Sequence, residues 1–363
     1  MISDFKNKNF INSLLGRFQE GDEENSILEL YKYIQKYPND VSARYNLALM
    51  YQKTNQIKKS VDEYLIVIKK EKNHWRAMLN LGVLLFANNR FEDSNKYLYG
   101  VLKIKKNYQP ALRDIGTNFL RLHKYKTAED ILIKALNLNT VDYINMNSLG
   151  LTKMYLGKNE DAKKLYEKAI VTNKKYFVSY NNLGLYYESI GKIDDAFECY
   201  QKCLKINPKY PNALNNIGML YFYYEENKKA FECFNKALKI DPKLVDLYFN
   251  LGLSYFHMRD FKKAEEYFQK GFNIEPNNYN GHYNYSFMLL AQHKYQNAWE
   301  KFDYRLKRSS KLTENFLYKD IKDKIWNNQK LEDKNILVVR EQGAGDEILY
   351  SSMYRELINL NKN

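Results

Sequence analysis

Cysteine is scarce in this 363-residue sequence. Cys199, Cys203 and Cys233 are too few for a disulfide scaffold and suit a reducing compartment. No histidine or fourth cysteine stands at ligand spacing from them, so they read as buried or half-buried thiols rather than a metal site. Six prolines and 15 glycines exclude collagen-like and linker-like chains. The five histidines form no HExxH or other paired arrangement. No apolar run reaches the roughly 18 residues that a transmembrane helix needs. The start, MISDFKNKNF, lacks the apolar stretch of a secretory leader. These absences point to a soluble, cytoplasmic chain without a membrane span, and no motif in it calls for a metal or cofactor.

Arginine is also thin, at 11 of the 57 basic residues, although the net charge is +14. Nucleic-acid readers lean on arginine for bidentate contacts and cluster it on one face. Here lysine is scattered among 42 asparagines and 33 tyrosines, which argues against a nucleic-acid partner. A hydrophobic content of 45% is enough for a packed fold.

What the sequence does have is a period. FVSYNNLGLYYESIGKIDDAFECYQKCLKINPKY, starting at Phe177, is followed by PNALNNIGMLYFYYEENKKAFECFNKALKIDPKL in the same pattern. The register extends without insertion or deletion to nine units of 34 residues over residues 7–312. Counting Asn7 as position 1, position 20 is Ser or Ala in every unit, from Ser26 to Ala298. Position 8 is Ala48, Gly82, Gly116, Gly150, Gly184, Gly218, Gly252 and Ser286, with Leu14 the exception.

The pattern predicts a helical hairpin. Apolar residues at positions 4, 7 and 11 share one face of a first helix. Small residues at positions 8 and 20 let a second helix approach closely, and Tyr64, Tyr166, Tyr200, Phe234, Phe268 and Phe302 at position 24 fill what remains. Gly21, Asn55, Asn89, Gly157 and Gly191 fall at the turn, where a left-handed residue is wanted. Pro38, Pro208, Pro242 and Pro276 stop the second helix. On these residues the chain resembles a tetratricopeptide-repeat array, an all-α solenoid. The resemblance implies a right-handed superhelix with a concave groove lined by first helices. Leu14 and Arg17, at core positions, make the first unit a degenerate cap.

Position 6 reads Asn12, Asn46, Asn80, Asp114, Ser148, Asn182, Asn216, Asn250 and Asn284. Composition alone would place about one asparagine on nine positions, and seven are found. A carboxamide can pair with both C=O and N–H of an extended peptide. Helices spaced by roughly 8–10 Å would present one to about every third ligand residue. The row resembles that of the repeat domain of O-linked N-acetylglucosamine transferase, which implies a protein or extended peptide in the groove. Asparagine here can also serve only to satisfy neighbouring helices. Tyr45, Phe86, Phe222, Phe249, Phe256, Tyr283 and Phe287 at positions 5, 9 and 12 form either a greasy lining or inter-repeat core.

After the ninth unit the pattern breaks. Residues 313–335 read as a polar linker with Trp326 as an anchor, followed by NILVVREQGAGDEILYSSMYRELINL. Ile336–Val339 suits a buried strand, Gln342–Gly345 a tight turn, and Asp346 onward a helix: the start of a βαβ unit. NYSFMLLAQHKYQNAWEKFDYRLKR (residues 284–308), then KIWNNQKLEDKNILVVREQGAGDEILY (residues 324–350), resembles bacterial proteins that join tetratricopeptide repeats to a GT-B glycosyltransferase, and the GxGD turn resembles that of heptosyltransferases. By that resemblance Asp346 is a candidate catalytic base of an inverting transfer, with Gly343 and Gly345 shaping the substrate or phosphate turn; the alternative role for Asp346 is to cap its helix. A nucleotide-sugar donor is implied only for the full-length family. With one strand and one helix of that domain in residues 336–363, the sequence is expected to be inactive as it stands. It reads as the acceptor-recognition arm of a glycosyltransferase, or else as a stand-alone scaffold for complex assembly.

Overall fold

The computed structural model describes residues 2–302 and 304. Among them are eighteen α-helices and no strand. The first hairpin joins α1 (Ile2–Gln19) to α2 (Glu23–Lys36), and the second α3 (Val41–Lys53) to α4 (Ile57–Lys70). Next come α5 (Trp75–Ala87) with α6 (Phe91–Ile104), and α7 (Gln109–Arg121) with α8 (Tyr125–Leu138). They are followed by α9 (Tyr143–Tyr155) with α10 (Asn159–Thr172), and α11 (Phe177–Ser189) with α12 (Ile193–Ile206). The last three pairs are α13 (Pro211–Tyr223) with α14 (Asn227–Ile240), α15 (Val245–His257) with α16 (Phe261–Ile274), and α17 (Tyr279–Ala291) with α18 (Tyr295–Phe302). The chain divides between Ile217 and Gly218 into two compact units.

The helices obey the 34-residue register closely. Every first helix after α1 starts at position 1, and every second helix starts at position 17. Position 15 is left-handed in all nine turns: Gly21, Asn55, Asn89, His123, Gly157, Gly191, Glu225, Arg259 and His293. The backbone N–H of position 16 then reaches back to the carbonyl of position 11 at 2.8–3.0 Å, from Asp22–Arg17 to Lys294–Leu289. This is the bond that closes a Schellman turn and satisfies an orphan carbonyl of the first helix. Glycine and asparagine make the turn cheaply. His123, Glu225, Arg259 and His293 hold the same geometry at a cost of about 1–2 kcal/mol each, so hairpin packing must impose it. The four prolines lie two residues beyond the ends of α2, α12, α14 and α16.

That packing rests on one pair of positions. A Cβ added to Gly184 would stand 2.5 Å from the Tyr200 ring, one on Gly150 2.6 Å from Tyr166, and one on Gly218 2.6 Å from Phe234. The ring at position 24 thus lies directly on the bare backbone of position 8. Tyr64, Tyr166, Tyr200, Phe234 and Phe268 are fully buried there, each contributing about 1.5–3 kcal/mol by burial. The tyrosine hydroxyls need partners, and position 12 supplies them: Tyr64 donates to Gln52 (2.9 Å) and Tyr200 to Glu188 (2.8 Å). Where position 24 is Phe234 or Phe268, position 12 is apolar, Phe222 or Phe256. Tyr166 breaks the rule: its position 12 is Met154, and its buried hydroxyl has no hydrogen-bond partner among the described residues.

The first unit of the array departs from expectation at one residue. Leu14 is in the core with Ile11, Phe18 and Leu30, but Arg17 is not. Its side chain is 39% exposed, and the guanidinium pairs with Asp22 (2.6 Å) and Glu29 (3.0 Å). A guanidinium at a helix's core-facing edge carries its charge out to carboxylates rather than burying it. The linker over residues 313–335 and the strand–turn–helix over 336–363 lie outside the described residues.

The glycine contact makes a two-sided prediction. Gly184→Ala should destabilise by about 1–3 kcal/mol, because the Tyr200 ring must shift. Tyr166→Phe should stabilise by about 1 kcal/mol, because it removes an unpaired buried hydroxyl. Denaturant melts of the two variants check both signs; a neutral Gly184→Ala would mean the helices do not pack this closely.

Candidate functional site

Successive first helices touch within each unit: α1 with α3, α5 with α7, α7 with α9, α9 with α11, and α15 with α17. Among the described residues no second-helix row is packed in this way. Neighbouring hairpins therefore converge on the first-helix side, which becomes the inner face of each unit. Position 6 sits on these helices.

The asparagines there follow a rule based on spacing. Asn80 Nδ2 donates to the Tyr45 hydroxyl at 2.9 Å, Asn182 Nδ2 to Asn147 Oδ1 at 3.0 Å, and Asn216 Nδ2 to Asn181 Oδ1 at 3.1 Å. Each bond spans 35 residues, from position 6 of one repeat back to position 5 of the repeat before. Within Met1–Ile217 the last two of these bonds join into a relay. Asn216 donates to Asn181, Asn181 Nδ2 donates to Asn182 Oδ1 (3.3 Å), and Asn182 donates to Asn147, which also accepts from Ser179 (3.1 Å). Asn182 is buried, while Asn46, Asn80, Asn216, Asn250 and Asn284 are half-buried and Asn12 is exposed. The Asn46 and Asn284 carboxamides make no hydrogen bond among the described residues. Asn80 and Asn216 keep their Oδ1 acceptors unused there.

Position 5, the receiving end, stands out in the sequence for its aromatics and not as a hydrogen-bond partner. It reads Arg113, Asn147, Asn181 and Asn215 through the middle repeats, a polar run on a helix face that otherwise carries Tyr45, Leu79 or Phe249. The ring of Phe249 is 2% exposed and closes over Gly271 and Gly281. It belongs to the inter-repeat core with Phe268 and Phe272, not to a lining. Phe287, by contrast, is 38% exposed.

The asparagine row is interrupted at repeat 4 by charge. Arg113 Nε bonds Asp114 Oδ1 at 3.0 Å, and Arg113 Nη1 reaches Asp142 Oδ2 at 3.2 Å. Gln109 donates to the same Asp142 oxygen at 2.6 Å, and Asp142 Oδ1 caps α9 through the N–H groups of Ile144 and Asn145. Burial pushes the Asp114 carboxyl up from its ordinary value, against the pull of Arg113. Burial would lower Arg113, but Asp114 and Asp142 outweigh it and hold the guanidinium above its ordinary value.

The thiols lie where the spacing suggested. Cys199 and Cys203 are buried and Cys233 half-buried, and burial raises the Cys199 thiol to about 11. Among the described residues no three metal-ligating side chains converge, and no helix is long and apolar enough to cross a membrane. Asp346, Gly343 and Gly345 lie outside the described residues.

The hairpin geometry agrees with the comparisons. Tetratricopeptide-repeat family models match residues 45–108, 145–175, 177–210, 211–244 and 245–278, more than half of the chain. The chain belongs to the tetratricopeptide-repeat family. Its fold is similar to that of a tetratricopeptide repeat protein from Parabacteroides merdae ATCC 43184, at a TM-score of 0.63 and 16% identity. That match covers 68% of this chain and 98% of the other. The APC/C hetero-tetramer Cut9–Hcn1 matches at a TM-score of 0.59 and 15% identity, over 84% of this chain and 59% of that one. No curated protein matches the sequence.

Asp114 gives a pH test. Because its carboxyl is raised in the folded chain, ionising it costs stability, and that cost appears as pH rises through the ordinary carboxylate range and past the raised value. The melting temperature of Asp114→Asn relative to wild type should therefore climb between acid and neutral pH. A difference that stays constant across that range would contradict the burial of this carboxylate.

Proposed function

We propose that the chain is a protein-binding scaffold whose first-helix faces hold extended polypeptide, met by Asn46, Asn80, Asn182 and Asn216 in one compact unit and by Asn250 and Asn284 in the other. The carrying observation is the position 6 to position 5 bond. It ties each bonded amide nitrogen to the preceding repeat and so fixes the carboxamide plane. The acceptor oxygens of Asn80 and Asn216 and the whole carboxamide of Asn46 are left to a ligand. A row of fixed acceptors suits the N–H groups of an extended chain whatever its side chains. The inter-repeat bonds also account for the asparagines as structure, so the two roles read in the sequence are shared within one side chain: nitrogen for the repeat, oxygen for the ligand.

A finer reading makes this array the acceptor-recognition arm of an inverting GT-B glycosyltransferase, with Asp346 as base and Gly343 and Gly345 in the turn. It is supported by sequence alone, over residues 284–308 and 324–350. Reading the coding sequence past Asn363 decides it: an α/β frame supports the enzyme link, and an immediate stop leaves the stand-alone scaffold.

Peptides of about twelve residues selected on the wild-type protein from a random display library supply the probe. Asn46→Ala with Asn80→Ala should weaken them by about 1–2 kcal/mol, roughly tenfold, with little change in melting temperature. Methylating alternate ligand backbone nitrogens should weaken them at least as much. Equal binding to wild type and variant would overturn the reading.

A further inference from the structure

The loops between hairpins carry charge that the groove does not use. The α4–α5 junction reads KKEKNHWR over residues 69–76, and the α6–α7 junction reads KIKKNY over residues 103–108. The two junctions touch. Lys105 Nζ stands 4.3 Å from the centre of the Trp75 ring, the Arg76 guanidinium stands 4.7 Å from it, and Tyr108 meets its edge at 5.3 Å. Lys69, Lys70, Lys72, Lys103, Lys105 and Lys106 are all exposed, and among the described residues none pairs with a carboxylate. Glu71 is the one acidic residue in the two stretches.

At the opposite edge of the hairpins some cations do have carboxylate partners, while Lys58, Lys126 and Lys192 have none among the described residues. There, Arg17 pairs with Asp22, Arg90 with Asp93, and Lys153 and Lys158 with Glu129. Helix dipoles do not explain the surplus. They favour Lys69, Lys70 and Lys103 in the last turns of α4 and α6. Lys72, Lys105 and Lys106 lie beyond the helix ends, and Arg76 sits at the start of α5, where the dipole opposes a cation.

We propose that this edge is a docking surface for an acidic polypeptide segment, a run of Asp and Glu side chains, separate from the groove and independent of its reading. Flexible ammonium groups accept carboxylates in many geometries, whereas nucleic-acid readers favour the arginine fork. The patch carries six lysines against one arginine. Its one large ring is already held by Arg76, Lys105 and Tyr108, which leaves no bare platform for stacking a base.

The probes are a labelled oligo-glutamate of about twenty residues and a single-stranded RNA of equal formal charge, titrated by anisotropy at about 50 mM salt. Lys69→Gln, Lys72→Gln, Lys103→Gln and Lys106→Gln together should weaken oligo-glutamate about tenfold. A control with the same charge change on the other surfaces, Lys58→Gln, Lys126→Gln, Lys164→Gln and Lys192→Gln, should weaken it less than about threefold. Both variants should melt with wild type, since every replaced side chain is exposed. Equal losses in patch and control would reduce the effect to net charge and overturn the proposal. So would RNA binding the patch more tightly than oligo-glutamate, or no binding of oligo-glutamate at all.

Discussion

The close seating of the position-24 side chain on position 8, a ring on bare glycine backbone at Gly150, Gly184, Gly218 and Gly252, sets the geometry of the hairpins. Two helices joined by a three-residue turn pack at that distance where one of them presents little or no side chain at the crossing, as at these glycines. Once the ring is seated, the turn is fixed, and position 15 must be left-handed whether it is Gly157 or Arg259. The same seating makes each first helix end at position 13 and each second helix begin at position 17. Regularity of the hairpin is what brings position 6 of one repeat next to position 5 of the repeat before.

That neighbour relation gives the first-helix face its chemistry. Because the hairpins converge on the first-helix side, side chains 35 residues apart come within hydrogen-bonding reach. The middle repeats fill those places with carboxamides and hydroxyls, and Asn147, Asn181, Asn182 and Asn216 become one relay. Repeat 4 places Arg113 and Asp114 at positions 5 and 6, and there Arg113 bonds its neighbour Asp114 and the α9 cap Asp142 in place of the 35-residue bond. The face is thus tied together polar group by polar group without losing all of its acceptors.

Much of this was legible in the sequence, and the reason is translational. A period of 34 with small residues at positions 8 and 20, and Gly or Asn at position 15, specifies the hairpin before any coordinates are seen. Gly184 and Tyr200 could be paired from their spacing alone. Less legible was anything that depends on which side chain of the next repeat lies opposite. Arg17 occupies a core position yet reaches out to Asp22 and Glu29, and Phe249 occupies a lining position yet closes over Gly271 and Gly281. The asparagine row stood out by composition, but its partners at position 5 did not, because their identity changes from Tyr45 to Asn147 and only their location repeats. The orphaned Tyr166 hydroxyl likewise appears only when Met154 is seen beneath it.

The most direct test of the account is a crystal structure of the protein with a selected peptide bound. The account predicts an extended ligand on the first-helix face, its backbone N–H groups within about 3 Å of Asn46 and Asn80 Oδ1, while Asn80 Nδ2 stays on the Tyr45 hydroxyl. A peptide lying on the second helices, or one that pulls Asn80 off Tyr45 to bind, would contradict it.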